Sequence, residues 1–189
     1  MNFILSRDII AHQKRVANLS KSFSVYLGDP EADTAILYAA ARWHDIGKPL
    51  IPNSILNKPD KLTEEEFNIV KSHPEKGAKM LKLLNADKII IEIVQSHHEN
   101  FDGSGYPKGL KGKDILYLAR ILKIVDVYDA LTHKRCYRPE IFGFKEALLI
   151  MEKMKEQFDP EIHQKFNEYI NGTEVLNIER SRSKCLKAR

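Results

Sequence analysis

The sequence predicts an all-α fold, a single helical bundle of about seven or eight helices. Apolar residues recur at spacings of three and four along most of the chain, which is the period of an amphipathic helix. A length of 189 residues suits one domain, and neither an internal repeat nor a shift in composition divides it. With 43% hydrophobic and 30% charged residues, the composition excludes a mainly disordered chain.

Two helices are predicted at the start of the chain, over residues 3–27 and 31–46. Gly28 and Pro30 separate them, because Gly suits the end of a helix and Pro cannot continue one. A loop follows, and it contains three prolines: Pro49, Pro52 and Pro59.

Three shorter helices are predicted in the middle of the chain. They cover approximately residues 63–72, 75–84 and 86–98. Thr63 and Glu66 match the pattern of a capping box, which indicates where the first of them begins. His73-Pro74 separates the first from the second, because the ring of Pro interrupts helical hydrogen bonding.

A glycine-rich loop precedes the last predicted helices. Residues 100–113 contain four of the nine glycines, a density that indicates unusual backbone dihedrals or the close approach of a ligand. Three helices follow, over residues 114–132, 143–158 and 160–170. The predicted domain therefore covers residues 1–172, and residues 173–189 form a basic C-terminal tail.

The formal charge of +4 is unevenly distributed. Residues 180–189 contain five basic residues and no acidic residue, so the tail accounts for the net positive charge. Within the body of the chain, residues 108–138 contain eight basic and three acidic residues. We expect this basic region to attract a small anionic nucleotide rather than a long nucleic acid.

Neither a membrane span nor a disulfide framework is predicted. No apolar run approaches the ~20 residues that span a bilayer. Arg7 and Asp8 interrupt the apolar start, so the pattern of a signal peptide is missing. Two cysteines, Cys136 and Cys185, are too few for a disulfide framework and indicate a reducing compartment. We therefore expect a cytoplasmic protein without membrane contact.

Histidines and carboxylates form the pattern that indicates chemistry. Five of the seven histidines lie beside a carboxylate, another histidine or a helix break: His12, His44, His73, His97 and His98. Asp45 follows His44 directly. Asp126 interrupts an apolar helix stripe, where a buried carboxylate is costly unless it is paired or binds a metal. Asp8 lies four residues before His12 and therefore shares its helix face.

Each of these residues taken alone has an ordinary structural explanation, such as a contact with a helix end. Together they predict a buried metal centre. The five histidines with Asp45 and Asp126 exceed the four ligands of a structural zinc site. With one bridging carboxylate they suit two octahedral ions, and the nitrogen-rich set favours Fe, Mn, Zn or Ni over Mg or Ca. Two ions about 3.5–4 Å apart are a general arrangement for in-line attack on a phosphorus ester.

Several motifs resemble those of the HD-GYP subfamily of the HD phosphohydrolase superfamily. The superfamily signature is similar to residues 44–48, and the motif that names the subfamily is similar to residues 97–99 with 102–107. Other matching segments are residues 51–52, 61–63, 73–75, 126–132 and 158–160. The resemblance covers approximately residues 5–170, in the order and spacing of the subfamily.

This resemblance implies a bacterial phosphodiesterase that hydrolyses cyclic di-GMP to linear pGpG, and often onward to GMP. It also implies two or three transition-metal ions, usually iron or manganese. The implied metal ligands are His12, His44, Asp45, His73, His97, His98 and Asp126, with Asp8 as a further candidate. Asp45 would bridge two ions and would be essential for catalysis.

The resemblance also assigns residues to the substrate. Lys48 would face the reacting phosphate and stabilise the charge that develops on it. Three loop residues would shape the substrate edge: Gly105, Tyr106 and Pro107. Arg135 and Arg138 match positions that contact phosphate or guanine, and the forked guanidinium group suits both partners.

Two positions depart from the pattern of the subfamily. Members with three metals commonly have Glu four residues before the first histidine, where this chain has the shorter Asp8. A third ion would therefore be absent or held through water. Cys136 stands where the subfamily usually has Pro, and we interpret it as a small buried side chain.

Two other functions are consistent with the sequence. One is hydrolysis of another cyclic dinucleotide, such as a GMP–AMP hybrid, and the other is a slow cyclic di-GMP sensor that acts through protein contacts. The complete ligand set and Lys48 argue against a pure sensor, which does not need them. Members of the subfamily also dock with diguanylate cyclase domains, so a cyclase or a sensory protein is an expected partner. Since no receiver domain fits within these residues, we expect a stand-alone domain, and its oligomeric state stays open.

Overall fold

The computed structural model describes residues 7–133 and 140–187, with side chains through residue 173. Every regular element in these ranges is a helix, which confirms the predicted all-α fold. The α-helices are α1 (Arg7–Leu27), α2 (Glu31–Trp43), α3 (Asn53–Leu56), α4 (Glu64–Val70), α5 (His73–Leu83), α6 (Lys88–Ser96), α7 (Tyr117–Thr132), α8 (Phe144–Lys153) and α9 (Pro160–Lys187). Short 3-10 turns cover Lys48–Leu50, Gly112–Asp114 and Lys155–Gln157.

Helix α7 is the centre of the bundle, because ten of its 16 residues are buried. It contacts α1, α2, α6, α8 and α9. Its fully buried apolar residues include Ile121, Leu122, Ile124 and Val125. Phe23 of α1 and Phe166 of α9 close one end of the core, with their ring centroids 5.0 Å apart. A helix that is apolar on most sides must lie inside the fold, and Asp126 and Asp129 are carried into the interior with it.

The turn after α2 packs closely against the start of α5, and this contact brings two parts of the predicted site together. A Cβ atom at Gly47 would overlap the carbonyl oxygen of His73, so only glycine permits this packing. Helices α1, α6 and α7 pack against α2 around the same place. The ends of several helices therefore meet beside the buried part of α7.

The helices begin and end close to the predicted positions in the first half of the chain. Thr63 and Glu66 form the predicted capping box, with the Glu66 amide nitrogen 3.2 Å from Thr63 Oγ1 and the Thr63 amide nitrogen 2.8 Å from Glu66 Oε2. Helix α2 ends at Trp43 rather than near residue 46, because Gly47 and Pro49 favour the turn that follows.

The last helix is longer than predicted. Helix α9 continues to Lys187 rather than ending near residue 170, so the predicted basic tail is helical over most of its length. Gly172 does not end the helix, since one glycine in a helix interior costs only about 1 kcal/mol. Neither α9 nor any other described helix has the length and apolar character needed to cross a membrane. The division between a domain of residues 1–172 and a basic tail stays a prediction.

Candidate metal centre

Six predicted ligand residues form two neighbouring groups of buried or half-buried side chains. The first group contains His12 of α1, His44 after α2 and Asp126 of α7. The second group contains His73 of α5 with His97 and His98 after α6. Within each group, one ligand atom from each residue lies within 4.8 Å of the others. Each group could therefore hold one metal ion.

Asp45 lies between the two groups. Its Oδ2 atom is 3.4 Å from His44 Nε2 and 3.7 Å from His12 Nε2, both in the first group. Its Oδ1 atom is 3.3 Å from His73 Nε2 in the second group. Oδ1 is buried and has no hydrogen-bond partner among the described residues, which is costly for a carboxylate oxygen. This arrangement suits a carboxylate that bridges two cations.

Three imidazole rings are oriented by the helix ends that precede them. Nδ1 of His44 lies 2.8 Å from the Ala41 carbonyl oxygen, and Nδ1 of His73 lies 2.8 Å from that of Val70. Nδ1 of His97 lies 2.6 Å from the Val94 carbonyl oxygen. A carbonyl oxygen only accepts hydrogen bonds, so each Nδ1 must donate. In the neutral ring, Nε2 then carries the lone pair, which is the tautomer that binds a metal.

His12 is oriented by a carboxylate instead. Its Nδ1 atom lies 2.6 Å from Oδ2 of Asp129, which is on α7. Arg15 donates to both oxygens of Asp129, over 2.7 and 2.9 Å. Burial raises the pKa of Asp129, but the hydrogen bonds from His12 and Arg15 outweigh burial and lower that pKa to about 2. An ionised Asp129 makes the His12 ring donate through Nδ1 and present Nε2 to the centre.

The four oriented rings place their Nε2 atoms close together. His12 Nε2 is 3.1 Å from His44 Nε2, and His73 Nε2 is 3.4 Å from His97 Nε2. Because every Nδ1 donates elsewhere, two neutral rings at such a distance present lone pairs to each other. A cation that shares these lone pairs removes the repulsion. The residues therefore fit divalent transition metals, which prefer imidazole nitrogen with some carboxylate oxygen.

The ionisation of the site also favours cations. Burial raises the pKa of Asp45, but the nearby charge of Lys48 outweighs burial and holds that pKa well below its usual range. Burial lowers the pKa of His97 and His98 well below the usual range, and the neighbouring histidines lower it further. Charged carboxylates and neutral imidazoles are the forms that bind metal ions.

The glycine-rich loop packs over the second group. Glu99 is buried and accepts hydrogen bonds from the amide nitrogens of Lys108 and Leu110, over 2.7 and 3.0 Å. A Cβ atom at Gly105 would overlap the backbone nitrogen of Asn100, so this contact requires glycine. The folded loop places Tyr106, which is followed by Pro107, against the centre.

Tyr106 and Lys48, which were predicted to contact the substrate, both lie at the centre in the structure. The Tyr106 ring stacks on His98, with centroids 4.9 Å apart and an angle of 30° between the rings. Lys48 Nζ lies 2.6 Å from Asp45 Oδ2. Asp8 is exposed and belongs to neither group, so its role as a ligand stays a prediction. Arg135 and Arg138 lie outside the described residues.

Sequence reasoning assigned no site role to Asp129, Arg15 or Glu99. Asp129 and Arg15 could have been recognised from the sequence. Asp129 lies three residues after Asp126, and Arg15 lies three residues after His12, so each pair shares one helix face. His133 directly follows α7 and is half-buried. Its Nδ1 atom lies 3.1 Å from Asp129 Oδ1, so it contacts the same carboxylate from the exposed side.

The described residues form an all-α bundle with a His/Asp centre that could hold metal ions. A family model described as the HD domain matches residues 3–162. The chain belongs to the HD domain family.

Named relatives and a solved structure agree with this assignment. The chain is 37% identical over 171 residues to a cyclic di-GMP phosphodiesterase of Vibrio cholerae, covering 82% of this chain and 35% of the relative. It is 37% identical over 162 residues to a 3′3′-cGAMP-specific phosphodiesterase of the same organism, covering 83% of this chain and 30% of the relative. The chain thus spans about a third of the length of these relatives.

The solved structure is an HDG“Y”P protein of Bdellovibrio bacteriovorus. It superimposes with a TM-score of 0.71 at 26% sequence identity, covering 86% of this chain and 52% of the other. The resemblance in the sequence to the HD-GYP subfamily is therefore confirmed by the family model, the relatives and this neighbour.

Proposed function

We propose that this chain is a metal-dependent phosphodiesterase that hydrolyses cyclic di-GMP to linear pGpG, with GMP as the product of a second cleavage. The observation that carries the proposal is the convergence of three Nε2 atoms, those of His12, His44 and His73, around the two oxygens of Asp45, with His97 Nε2 3.4 Å from that of His73. The Vibrio cholerae relative named as a cyclic di-GMP phosphodiesterase supports this choice of substrate.

Two metal ions, iron or manganese, would occupy the centre. One would be held by His12, His44 and Asp126, the other by His73, His97 and His98, and Asp45 would be shared. When bound, such ions lower the pKa of a coordinated water and neutralise the phosphate oxygens. Imidazole-rich sites with carboxylates suit these metals better than Mg or Ca. Asp8 would serve only a third ion.

The protein residues would orient the phosphodiester and shield it from bulk water. Lys48 Nζ lies 2.6 Å from Asp45 Oδ2. It would also interact with a non-bridging phosphate oxygen and stabilise the negative charge that develops there in the transition state. The loop containing Gly105, Tyr106 and Pro107 would close the side of the second group. We assign phosphate or guanine contacts to Arg135 and Arg138 from their motif positions.

A GMP–AMP hybrid is the second candidate substrate. The 3′3′-cGAMP-specific relative matches this chain as closely in identity as the cyclic di-GMP enzyme does, at 37% in both cases. Both substrates have the same phosphodiester ring and differ only in one base. The metal centre described above therefore does not distinguish between them.

A panel of substrates tests the proposal. The protein is prepared anaerobically, loaded with Fe²⁺ or Mn²⁺, and incubated separately with cyclic di-GMP, 3′3′-cGAMP and cyclic di-AMP, and products are separated by chromatography. We expect pGpG to appear first and GMP later, with cyclic di-GMP cleaved fastest. Faster cleavage of 3′3′-cGAMP would support the second candidate. Tight binding of cyclic di-GMP without any product would indicate a sensor and contradict the proposal.

A further inference from the structure

A lysine that was not among the predicted site residues lies between two aromatic rings at the edge of the candidate metal centre. Lys71 follows the last residue of α4, and its Nζ atom is 4.7 Å from the ring centroid of Phe67 on that helix. The same Nζ atom is 5.9 Å from the ring centroid of Tyr106 in the glycine-rich loop. Two ring faces therefore hold one ammonium group in position.

Lys71 is connected to the second group of the centre on two sides. Through space, Tyr106 stacks on His98 with centroids 4.9 Å apart. Along the chain, Lys71 precedes His73 by two residues, and the buried His73 ring points its Nε2 atom at Asp45. The ammonium group is thus one aromatic ring away from a candidate metal ligand.

The charge of Lys71 is not neutralised by a carboxylate. Within the described part of the chain, Lys71 forms no ion pair, whereas Lys48 lies 2.6 Å from Oδ2 of Asp45. Contacts with aromatic rings hold a cation in place but leave its net charge unchanged. A partly exposed, oriented and unpaired ammonium group is suited to binding an anion.

The two lysines lie beside different groups of ligands. Lys48 contacts the Asp45 oxygen that faces His12 and His44. Lys71 lies on the side of His98, beyond Tyr106. A cyclic dinucleotide carries two phosphates on opposite sides of one sugar–phosphate ring, so a protein that cleaves one phosphate can hold the other through a separate positive group.

We propose that Lys71 binds the phosphate of the cyclic dinucleotide that is not being cleaved, and so selects substrates with two phosphodiesters. This inference rests on the proposed function. It makes Lys71 a specificity-determining residue, because the second phosphate takes no part in bond cleavage. Phe67 and Tyr106 hold the ammonium group at the position where that phosphate arrives.

The experiment compares two substrates in the metal-loaded protein. Cyclic di-GMP carries two phosphodiesters, and bis(4-nitrophenyl) phosphate carries one. Lys71→Met keeps an unbranched side chain, one heavy atom shorter, that can still pack against the rings but carries no charge. We expect KM for cyclic di-GMP to rise at least about tenfold, because the loss of one charge-assisted hydrogen bond weakens binding by about that factor. We expect kcat, and hydrolysis of bis(4-nitrophenyl) phosphate, to stay within about twofold of the wild type.

Two further variants serve as controls. Lys71→Arg keeps the charge and should restore KM for cyclic di-GMP, whereas Lys79→Met removes an exposed charge on α5 and should leave KM unchanged. An unchanged KM in Lys71→Met, an equal loss with both substrates, or an equal effect of Lys79→Met would overturn the assignment of Lys71. If the wild type cleaves bis(4-nitrophenyl) phosphate but no cyclic dinucleotide, the proposed function itself fails, and the inference fails with it.

Discussion

Nδ1 of His12 lies 2.6 Å from Oδ2 of Asp129, although the two residues are separated by 117 positions in the chain. This hydrogen bond joins α1 to α7 inside the core and points Nε2 of His12 at Asp126, 3.0 Å away. Asp129 therefore orients a member of the first group of candidate ligands. Its own orientation depends on the two hydrogen bonds from Arg15.

Replacing Asp129 should weaken metal binding without removing a ligand. We expect Asp129→Ala to lower metal affinity about 10- to 100-fold, because carboxylates that orient metal-binding histidines typically contribute that much. Competition with a chelator measures the affinity, and the matched control is Asp87→Ala at an exposed position. Wild-type affinity in a folded Asp129→Ala variant would show that His12 needs no such orientation.

Lys48 should affect the rate of cleavage more than metal binding. We expect Lys48→Met to lower kcat about 10²-fold, since the ammonium group stabilises charge that increases in the transition state. Metal content, measured by elemental analysis, should stay at the wild-type level, and Lys88→Met at a highly exposed site should have no effect. Loss of metal in the Lys48→Met variant would instead indicate that Lys48 acts by holding Asp45.

Gly105 should be required for the loop that carries Tyr106. In Gly105→Ala the new methyl group meets the backbone of residue 100, and such overpacking typically costs about 1–3 kcal/mol. Chemical denaturation measures this cost. Gly143→Ala is the control, because the nearest atom to a Cβ there is Glu146 Oε2 at 3.7 Å. Equal stability of the two variants would mean that the loop does not need the close contact.

His163 should make the stability of the fold depend on pH. Burial lowers the pKa of His163 below its usual value, although Glu152 acts in the opposite direction. The unfolded chain therefore binds a proton more readily than the folded chain, and this residue reduces stability as pH falls through about 6.5.

The variant His163→Phe isolates this effect, because a phenyl ring keeps the stacking on Phe158 and cannot take up a proton. Denaturation of the metal-loaded proteins at about pH 7.5 and about pH 5.5 measures it. We expect the wild type to lose more free energy of unfolding over this interval than the variant. An equal loss in both proteins would show that His163 has the same pKa in the folded and unfolded chains.

Patterns within single helices made much of this fold predictable. The apolar period of α1 and α7 and the capping box at Thr63 are local features, and each appears where the sequence indicated. The predicted end of α9 was wrong, because a lone Gly172 is a weak helix terminator and no proline follows it. The single turn of α3 was missed because four residues are too few to show a helical period.

Seven of the eight predicted ligand residues lie close together in the structure and Asp8 does not, whereas most of the contacts that orient them could not be read from the sequence. Asp45 and His44 are neighbours in sequence, so their pairing was readable. The pairing of His12 with Asp129 depends on how α1 packs against α7, and no local pattern encodes it. The position of Lys71 between Phe67 and Tyr106 likewise arises only when the loop folds over the centre.

Turnover of cyclic di-GMP by the Asp45→Ala variant tests the central claim most directly, since Asp45 touches both groups of ligands. Wild type, Asp45→Ala and the exposed control Asp87→Ala are prepared anaerobically and loaded with Mn²⁺, and pGpG formation and bound metal are measured together. We expect two ions and turnover in the wild type and the control. In Asp45→Ala we expect fewer ions and no detectable turnover. Full turnover by a folded, metal-loaded Asp45→Ala protein would contradict the assignment of this centre.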